Sequence, residues 1–325
     1  MSRASKLAKT IALAEGTDVR AAKAAEILTQ KNVCKVVLIG NEDEIKAKFP
    51  EIDFTGVSFD DPKTSEHRAE YANTLYELRK AKGMTEEQAL NIVTNNNMFY
   101  ACVALKRGDV DGVVGGAVFS SADVSRAAFQ VIKAAPGISS VSSCFVMVPP
   151  EDFKYKKYPA YIFSDCAVIP YPTSDQLSDI VVAAADSAKK ICEMDPKIAM
   201  LSFSTKGSAN HESVEKVRVA YQKVREEHPE IVVDGELQLD ASLVDSVAKQ
   251  KAPGSPVAGK ANVLVFPNLD AGNIGYKIAQ RFGNCMAIGP IMQGLALPVN
   301  DLSRGCVAED IAAVAAITAL QSVKD

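Results

Sequence analysis

The sequence predicts an α/β protein, because short apolar runs rich in β-branched residues alternate along the chain with longer stretches of helical periodicity. Alternation of this kind is typical of parallel strands joined by crossover helices, which cover both faces of each sheet. The chain has 325 residues, of which 47% are hydrophobic, enough for one large core or two of medium size. Its length favours two units of structure.

The apolar runs locate the individual strands, and the stretches between them locate the helices. Strands are predicted over residues 10–14, 35–40, 110–117, 197–203, 231–237, 262–267 and 285–290. Helices are predicted over residues 18–30, 65–82, 122–134, 174–193, 211–227, 269–282 and 307–323. Because strand and helix follow each other in turn, the sheets are expected to be mostly parallel.

A change of composition near residues 136–143 marks the passage from one predicted domain to the next. A stretch rich in Gly and Ser leads there into an apolar run that ends in two prolines. The last helix is expected to return to the first domain, because segments that form pockets near the end of a chain commonly lie where two domains meet. The predicted domains are residues 1–138 plus 299–325 and residues 139–298.

Composition and charge exclude several classes of function. The formal net charge is −4, and Lys and Arg are spread through helical stretches, which argues against nucleic acid as a partner. No apolar run approaches the length of a membrane span, so neither an anchor nor a signal peptide is expected. Seven widely spaced cysteines predict reduced thiols in the cytoplasm. With only three histidines, a His-based metal site or nucleophile pair is disfavoured.

The segment from Lys251 to Asp310 is the first place to look for a ligand site. It is rich in Gly, Pro, Asn, Ser and Arg near predicted strand ends, a composition that suits an anion pocket. Within it, Gly254–Lys260 matches the first seven positions of a phosphate-binding P-loop, but Ala261 replaces the Ser or Thr that would bind Mg²⁺. The run also precedes a predicted strand instead of following one. Since no GxGxxG follows a strand either, nucleoside triphosphates and dinucleotide cofactors are both unsupported.

Arginines, hydroxyl residues and a carboxylate at strand-to-helix passages remain as candidates. Ser303 and Arg304 precede the last helix, and Asp310 lies in its first turn. By residue type alone, Asp310 is equally well explained as a carboxylate that stabilises the helix dipole, and Arg304 as a solvated charge. The other candidates, taken singly, are also more simply explained as solvated: Arg20, Arg79, Arg126, Ser204, Thr205 and Lys206.

Five segments of the sequence resemble one enzyme family. They are FSDCAVIPYPTSDQL, AMLSFSTKGSA, VDGELQLDAS, SPVAGKANVLVFPNLDAGNIGYK and GPIMQGLALPVNDLSRGC. Together they resemble the phosphate acetyltransferases, or phosphotransacetylases, which move an acetyl group between acetyl phosphate and coenzyme A. The resemblance covers most of the chain, is densest from Phe163 onward, and rests on several long motifs in the right order.

The resemblance implies a fold, an assembly and a set of site residues. The implied fold is two α/β domains like those of isocitrate and isopropylmalate dehydrogenases, with the active site in the interdomain cleft and a homodimer as the usual unit. Ser303, Arg304 and Asp310 are implied to be catalytic. Coenzyme A is a substrate, and no bound cofactor is expected. Binding of phosphate and coenzyme A is expected of Arg20, Arg79, Arg126, Ser120, Ser121, Ser204, Thr205, Lys206 and Asn273.

The chemistry of this reaction explains why such residue types are needed. The thiol of coenzyme A must become a thiolate to attack the acetyl carbonyl, and with no His at hand Asp310 is the available base. An ordinary carboxylate is weak for a thiol of pKa near ~8.5, so burial must raise its pKa or positive charge must lower that of the thiol. Arg304 can supply this charge, and Ser303 can donate a hydrogen bond to the tetrahedral centre. Phosphate leaves as a stable dianion, and because arginines provide the charge, no metal is expected. We expect direct attack in a ternary complex, without an acyl-enzyme.

Several positions depart from the family's pattern and leave alternatives open. Val118 and Phe119 stand where many members have Ala and His, Ala127 stands in place of a Pro, and Leu297 in place of a Lys. One alternative is a phosphate butyryltransferase, which differs mainly in its acyl pocket. Another is a non-catalytic acetyl-CoA-binding regulatory module. At the level of the fold, a metal- and NAD-dependent dehydrogenase is a third.

Overall fold

Two sheets organise the chain. A computed structural model describes residues 1–136 and 138–323. The chain divides into Met1–Pro136 with Leu295–Asp325, called unit 1, and Gly137–Gly294, called unit 2. The predicted domain boundaries, 1–138 plus 299–325 and 139–298, remain a prediction.

The strands are short, as expected for an α/β protein. In chain order they are β1 (Thr10–Leu13), β2 (Lys35–Ile39), β3 (Val57–Asp60), β4 (Gly112–Val114), β5 (Ser142–Val148), β6 (Tyr161–Ser164), β7 (Ile198–Leu201), β8 (Val233–Leu237), β9 (Val263–Val265), β10 (Met286–Gln293) and β11 (Val299–Asn300).

The helices lie between the strands. They are α1 (Val19–Gln30), α2 (Glu42–Lys48), α3 (Arg68–Arg79), α4 (Glu86–Asn95), α5 (Asn97–Arg107), α6 (Ser121–Ala127), α7 (Ser174–Cys192), α8 (Glu212–Glu227), α9 (Leu239–Leu243), α10 (Asp245–Lys251), α11 (Leu269–Arg281) and α12 (Ala308–Gln321). Short 3₁₀ turns cover Ala4–Lys6 and Lys80–Lys82, and a π-helical turn covers Ala128–Ile132.

Unit 1 is built on a parallel sheet with the strand order β11-β4-β1-β2-β3. Helices α1 and α12 pack against each other, α1 also against β2 and β3, and α12 also against β4 and β1. Ala12 of β1 and Val113 of β4 belong to a separate buried cluster with helices α3 to α6. Helix α5 is buried over eight consecutive residues, which is why its sequence shows no polar face. Because all strands of this sheet run the same way, their carboxyl ends share one edge.

Unit 2 is built on a mixed sheet with the strand order β10-β5-β6-β9-β7-β8. The β6-β9-β7-β8 part is parallel, whereas β5 pairs antiparallel with both β6 and β10. The predicted architecture of mostly parallel sheets is confirmed, and the antiparallel portion was not predicted. Strand β5 is the apolar run that follows the Gly- and Ser-rich stretch between the predicted domains. Six of its seven residues are buried, so it shows no alternation of polar and apolar residues.

Other elements escaped prediction for identifiable reasons. Strands β3, β6 and β11 are four residues long or shorter, and helices α2, α9 and α10 span seven or fewer. The helix predicted over residues 122–134 is interrupted, because α6 ends at Ala127 and a π-helical turn follows. In the segment 251–310, by contrast, the predicted strands over 262–267 and 285–290 and the predicted helix over 269–282 correspond to β9, β10 and α11. Among the residues that the structure describes, no helix is both long enough and apolar enough to cross a membrane.

Candidate active site

The buried carboxylate of Glu15 holds the loop that follows β4. Glu15 comes two residues after β1 and is 6% exposed. Its two oxygens accept four backbone N–H groups at 2.7–3.1 Å, from Gly116, Ala117, Val118 and Phe119. Charge-assisted hydrogen bonds of this kind are the strong ones in proteins, and here they satisfy a buried carboxylate that forms no ion pair among the described residues. The loop is therefore fixed to the carboxyl end of β1.

The guanidinium of Arg20 joins this loop to the segment before α12. Nη2 donates to the carbonyl of Ala117 at 2.8 Å, and Nη1 donates to the carbonyls of Arg304 and Cys306 at 2.8 and 3.4 Å. Nε and Nη2 also form a two-point contact with Asp18, each at 2.9 Å, and this ion pair raises the pKa of Arg20 and lowers that of Asp18. A guanidinium has five N–H donors, and these contacts use all of them. To bind a phosphate, as the sequence predicts, Arg20 would have to release one of these partners.

Asp301 lies against the same loop from the other side. It directly follows β11, and its side chain is 2% exposed. A Cβ on Gly116, whose φ is +112°, would overlap Asp301 Oδ1 and come within 2.7 Å of Leu302 N. Only glycine allows this approach. Burial raises the pKa of Asp301 to about 6, the Ser121 side chain counteracts that rise, and the negative charge of Glu15 adds to it.

The three predicted catalytic residues lie together in the segment that enters α12. Ser303 and Arg304 are exposed, and the Ser303 hydroxyl accepts the Gly305 N–H at 3.3 Å. Within residues 1–136 and 138–323, the Arg304 guanidinium has no hydrogen bond or ion pair. Asp310 is the third residue of α12, and its Oδ2 accepts the Val307 N–H at 3.0 Å, which fixes the carboxylate at the helix N-terminus.

Cys306, between these residues, is buried as expected. Burial raises the pKa of its thiol to about 11, although Arg20 acts in the opposite direction. A thiol in that environment stays protonated at neutral pH and is a poor nucleophile.

The other candidate binding residues in unit 1 differ in how many hydrogen bonds and ion pairs they already form with the protein. Ser120 caps α6, accepting the Asp123 N–H and donating to the Asp123 carboxylate at 2.6 Å. Arg126 is exposed and forms an ion pair with Asp123 at 2.8 Å. Arg79 ends α3, and its Nε is buried without a hydrogen-bond partner. No contact links Arg79 or Arg126 to the segment 303–310 among the described residues.

In unit 2, the predicted binding residues Ser204 and Thr205 are buried and build their own loop. The Ser204 hydroxyl donates to Glu236 at 2.8 Å and accepts the Ala209 N–H at 3.0 Å. The Thr205 hydroxyl accepts the Gln238 N–H at 2.9 Å. A ligand could reach these two hydroxyls only by displacing a protein partner.

The remaining unit 2 candidates are also engaged. Lys206 forms an ion pair with buried Asp234 and lies 5.2 Å from the ring centre of Tyr221. Asn273 donates to the Cys166 carbonyl at 3.0 Å and accepts from Lys277 at 2.6 Å. Their predicted contacts with substrate remain predictions.

The P-loop-like run Gly254–Lys260 turns its amides inward. The N–H groups of Val257 and Ala258 donate to the Ser255 hydroxyl, and that of Gly259 donates to the Ala241 carbonyl. A phosphate cradle needs such amides free to point at the ligand. The run therefore lacks the geometry of a phosphate loop, in agreement with its sequence context.

Sequence reasoning missed Glu15 and Asp301. Both are acidic residues placed just after an apolar strand, at the edge where ligands bind in α/β sheets. That position was the available signal, because a carboxylate next to a buried strand needs a specific partner. Which backbone amides would meet it depends on β1, β4 and β11 lying side by side, and spacing along the chain does not show this.

Replacement of Glu15 by Gln tests the anchor of the loop. The amide keeps one oxygen but turns an NH₂ group toward two N–H donors, so two buried amides lose their acceptor. We expect Glu15→Gln to lower the free energy of unfolding by about 3 kcal/mol, measured by urea denaturation. Glu44→Gln, at an exposed position of α2, is the matched control. A change of under about 0.5 kcal/mol for Glu15→Gln would contradict the assigned role.

The raised pKa of Asp301 predicts a pH dependence of stability. The folded chain holds this proton more tightly than the unfolded chain, whose value is near 3.8, so the stabilising contribution is present at low pH and is lost as pH rises to about 6. Between these two pH values the free energy of unfolding of the wild type should fall by about 3 kcal/mol relative to that of Asp301→Asn. Urea unfolding of both proteins between about pH 4 and about pH 7 measures the difference. A difference that stays constant with pH would show that the carboxyl is not held in this way.

Comparison with known proteins gives a consistent result over the whole chain. The sequence profile described as phosphate acetyl/butaryl transferase matches residues 1–319. The phosphate acetyltransferase of Acetivibrio thermocellus is 51% identical over 322 residues, covering 99% of this chain and 96% of that protein. A phosphotransacetylase from Streptococcus pyogenes superposes with a TM-score of 0.90 at 41% identity, covering 99% of this chain and 97% of its own.

A more distant likeness concerns the fold alone. The 4-hydroxythreonine-4-phosphate dehydrogenase of Klebsiella pneumoniae has a TM-score of 0.56 at 11% identity, covering 97% of this chain and all of its own. The predicted α/β fold class is thus confirmed by its neighbours. From the profile and the close relatives together, the chain belongs to the phosphate acetyl/butaryl transferase family.

Proposed function

We propose that the protein is a phosphate acetyltransferase, which reversibly transfers an acetyl group between acetyl phosphate and coenzyme A. The observation that carries this proposal is the segment that enters α12. Within eight residues it presents the guanidinium of Arg304, which has no partner in the part of the chain that the structure describes, together with the Ser303 hydroxyl and the Asp310 carboxylate. A reaction that moves an anion and develops charge on a carbonyl oxygen needs such groups.

Arg304 is the residue to which we assign the main electrostatic role. Its backbone carbonyl is held by Arg20, so its position is fixed while its own charge remains free for a ligand. A guanidinium suits both the phosphate and the oxygen that gains charge during attack, because it donates two parallel hydrogen bonds. Ser303 would donate to the same tetrahedral centre.

Asp310 is proposed to accept the proton of the coenzyme A thiol. One of its oxygens caps α12 through the Val307 N–H, and the other has no partner among the described residues. The positive charge of Arg304 would lower the pKa of the bound thiol and so ease proton transfer to a carboxylate. No protein residue becomes acylated in this scheme. The protonated, buried thiol of Cys306 supports direct attack by coenzyme A.

Anion binding is proposed for Arg79 and Arg126, which contribute positive charge outside the 303–310 segment. Among the residues that the structure describes, the Arg79 Nε has no hydrogen-bond partner, and exposed Arg126 forms an ion pair with Asp123. Arg20 is proposed to act through position and charge, because all its donors are used. The hydroxyls of Ser120, Ser121, Ser204 and Thr205, with Lys206 and Asn273, are proposed to shape the substrate-binding loops. We further infer a cytoplasmic enzyme that binds coenzyme A as a substrate and keeps no resident cofactor.

An assay of thioester formation with purified protein tests the function. With coenzyme A and acetyl phosphate, in the presence of EDTA, the wild type should form acetyl-CoA rapidly. Arg304→Ala and Asp310→Asn should each reduce kcat by about 10²–10³ without changing the far-ultraviolet circular dichroism spectrum. Arg304→Ala should also raise KM for acetyl phosphate, because it removes a phosphate contact as well. Near wild-type turnover in either variant would remove that residue from its role.

The choice of acyl donor separates the acetyltransferase from its close alternative. Val118 is 62% exposed in the loop held by Glu15, and an apolar side chain there favours contact with an acyl chain. Comparing acetyl, propionyl and butyryl phosphate in the same assay decides between them. A maximum at acetyl supports the proposal, and a maximum at butyryl supports a phosphate butyryltransferase. Binding of acetyl-CoA without turnover of any donor would indicate a regulatory module.

A homodimer is the proposed assembly, and one face of α11 supports it. Ile274, Ile278 and Phe282 follow each other at helical spacing and are all exposed, Phe282 by 91%. Asp270 and Arg281 are exposed at opposite ends of this helix. A second copy packed antiparallel would pair Asp270 with the partner's Arg281 and cover the apolar stripe.

Replacement of Ile278 by Glu tests this surface, because two like charges would meet at its centre. We expect light scattering during gel filtration to give about twice the chain mass of 34.7 kDa for the wild type and a single chain for Ile278→Glu. Val219→Glu, at an exposed apolar position of α8, is the control and should stay dimeric. A variant at Ile278 that remains dimeric would place the interface elsewhere.

A further inference from the structure

The carboxylate of Asp301 is incompletely satisfied. Its Oδ1 is out of contact with solvent and has no hydrogen-bond partner within residues 1–136 and 138–323. An unpaired oxygen of a buried carboxylate is costly, and each such group in a native protein calls for an explanation. Asp301 stands two residues before Ser303, so the explanation concerns the proposed active site.

The surroundings of Asp301 come from two segments of unit 1. The loop after β4 approaches so closely that Gly116 cannot carry a side chain. At the start of α6, the Ser121 hydroxyl interacts with the carboxylate, as does the N–H of Leu302 in its own segment. Asp301 therefore lies between the loop that leads into α6 and the segment that carries Ser303 and Arg304.

These two segments are joined at a second point by Arg20, which donates to Ala117 in one and to Arg304 in the other. The Arg20 contact is complete, since all five donors are used. The Asp301 contact can change more easily, because its hydroxyl partner, Ser121, is exposed at the start of α6. A small change at Asp301 would therefore shift Ser303 and Arg304 relative to α6, while the Arg20 contact keeps the two segments together.

We propose that Asp301 is a positioning residue for the transferase reaction, whose ionised carboxylate, through Ser121 and the Leu302 backbone, sets the placement of Ser303 and Arg304. The inference rests on the proposed function of that segment. It also gives the Ser121 hydroxyl a definite task, which is to orient Asp301 and not to contact substrate. Burial of the Asp301 carboxylate lowers the stability of the fold but positions Ser303 and Arg304, and such a loss of stability is common at functional sites.

Ionisation of Asp301 connects this role to pH. The neighbouring charge that acts on it is Glu15, at the end of β1, which favours the protonated form. Most other charged groups on the elements around it have partners of their own: Arg20 and Asp18 of the α1 region with each other, Asp123 and Arg126 of α6 with each other, and Asp310 of α12 with Val307. Arg304, on the same segment as Asp301, and Glu309 of α12 are exposed, and neither has an ion pair within residues 1–136 and 138–323. A proton on Asp301 would remove the negative charge of the carboxylate and so weaken its contacts with the Ser121 hydroxyl and the Leu302 N–H. Since burial raises the pKa of Asp301 to about 6, activity should fall as pH drops through that value.

The test is the pH profile of kcat/KM for acetyl-CoA formation in four variants. The wild type should lose activity at acid pH, giving an acid limb with a midpoint at about 6, which is the pKa of Asp301. In Asp301→Asn, kcat should fall about tenfold or more, KM for acetyl phosphate should change less than about threefold, and this limb should disappear. Ser121→Ala should move the limb upward by about half a pH unit, because the hydroxyl holds the pKa of Asp301 down. Ser121→Thr keeps a hydroxyl and should restore the wild-type limb.

Substrate ionisation contributes equally to every variant, so differences between profiles report on the protein. Asp111→Asn is the matched control, because Asp111 is a partly buried carboxylate at the opposite edge of the same sheet, bonded to Lys9 and Thr10. It should alter stability and leave the acid limb in place. If Asp301→Asn does not fold, the Ser121 pair still decides the matter.

The inference is overturned if Asp301→Asn keeps the wild-type limb, or if Ser121→Ala and Ser121→Thr both coincide with the wild type. Failure of the proposed function looks different, because the wild type itself would then form no thioester. If the wild type forms thioester but the acid limb of the kcat/KM profile is the same in all variants, the positioning role of Asp301 is rejected and the proposed function stands.

Discussion

The four hydrogen bonds that Glu15 accepts from consecutive backbone amides are the constraint on which the rest of the candidate site depends. They fix the loop after β4 to the end of β1. With that loop fixed, the Ala117 carbonyl faces Arg20, and the same guanidinium can then hold the carbonyl of Arg304. The buried carboxylate of Glu15 is stable because these amides replace the water it loses on burial. The placement of the proposed catalytic segment thus begins with one side chain.

Unit 2 uses the same device twice at its own strand ends. Asp165, directly after β6, accepts the N–H groups of Ala167, Val168 and Ile169. Glu236, in β8, accepts from Ser204, Gly207 and Arg218. The hydrogen bonds to Glu236 outweigh the effect of burial and lower its pKa to about 2. Its stabilising contribution is therefore present above its ordinary value of 4.5 and is lost only as pH falls toward 2. Buried acids thus organise the loops of both units.

Positive charge in unit 1 is divided between residues that build the site and residues free to act. All five donors of Arg20 are bonded to protein acceptors, whereas the Arg304 guanidinium has no acceptor among the described residues. The division has a physical basis, since a saturated guanidinium is rigid and an exposed one keeps its donors for an arriving anion. Asp301 stands between these two kinds of group. Asp301 is buried like a structural residue. Its Oδ1 has no partner among the described residues and its pKa is raised, so its protonation state changes with pH.

The sequence by itself determined the fold class, most of the long helices and the family, because strand–helix alternation and long ordered motifs are local signals. It also supplied the prediction that Ser303, Arg304 and Asp310 are catalytic, which concerns one continuous segment. Features that depend on long-range contacts became clear only from the tertiary structure. They are the antiparallel pairing of β5, the use of all five Arg20 donors by protein acceptors, and the contacts of Glu15 and Asp301. Each of these cases includes partners that are far apart in the sequence, such as Glu15 and Gly116 at a separation of 101 residues. Hydrogen-bond partners at that separation depend on strand order in the sheet, which residue spacing along the chain does not specify.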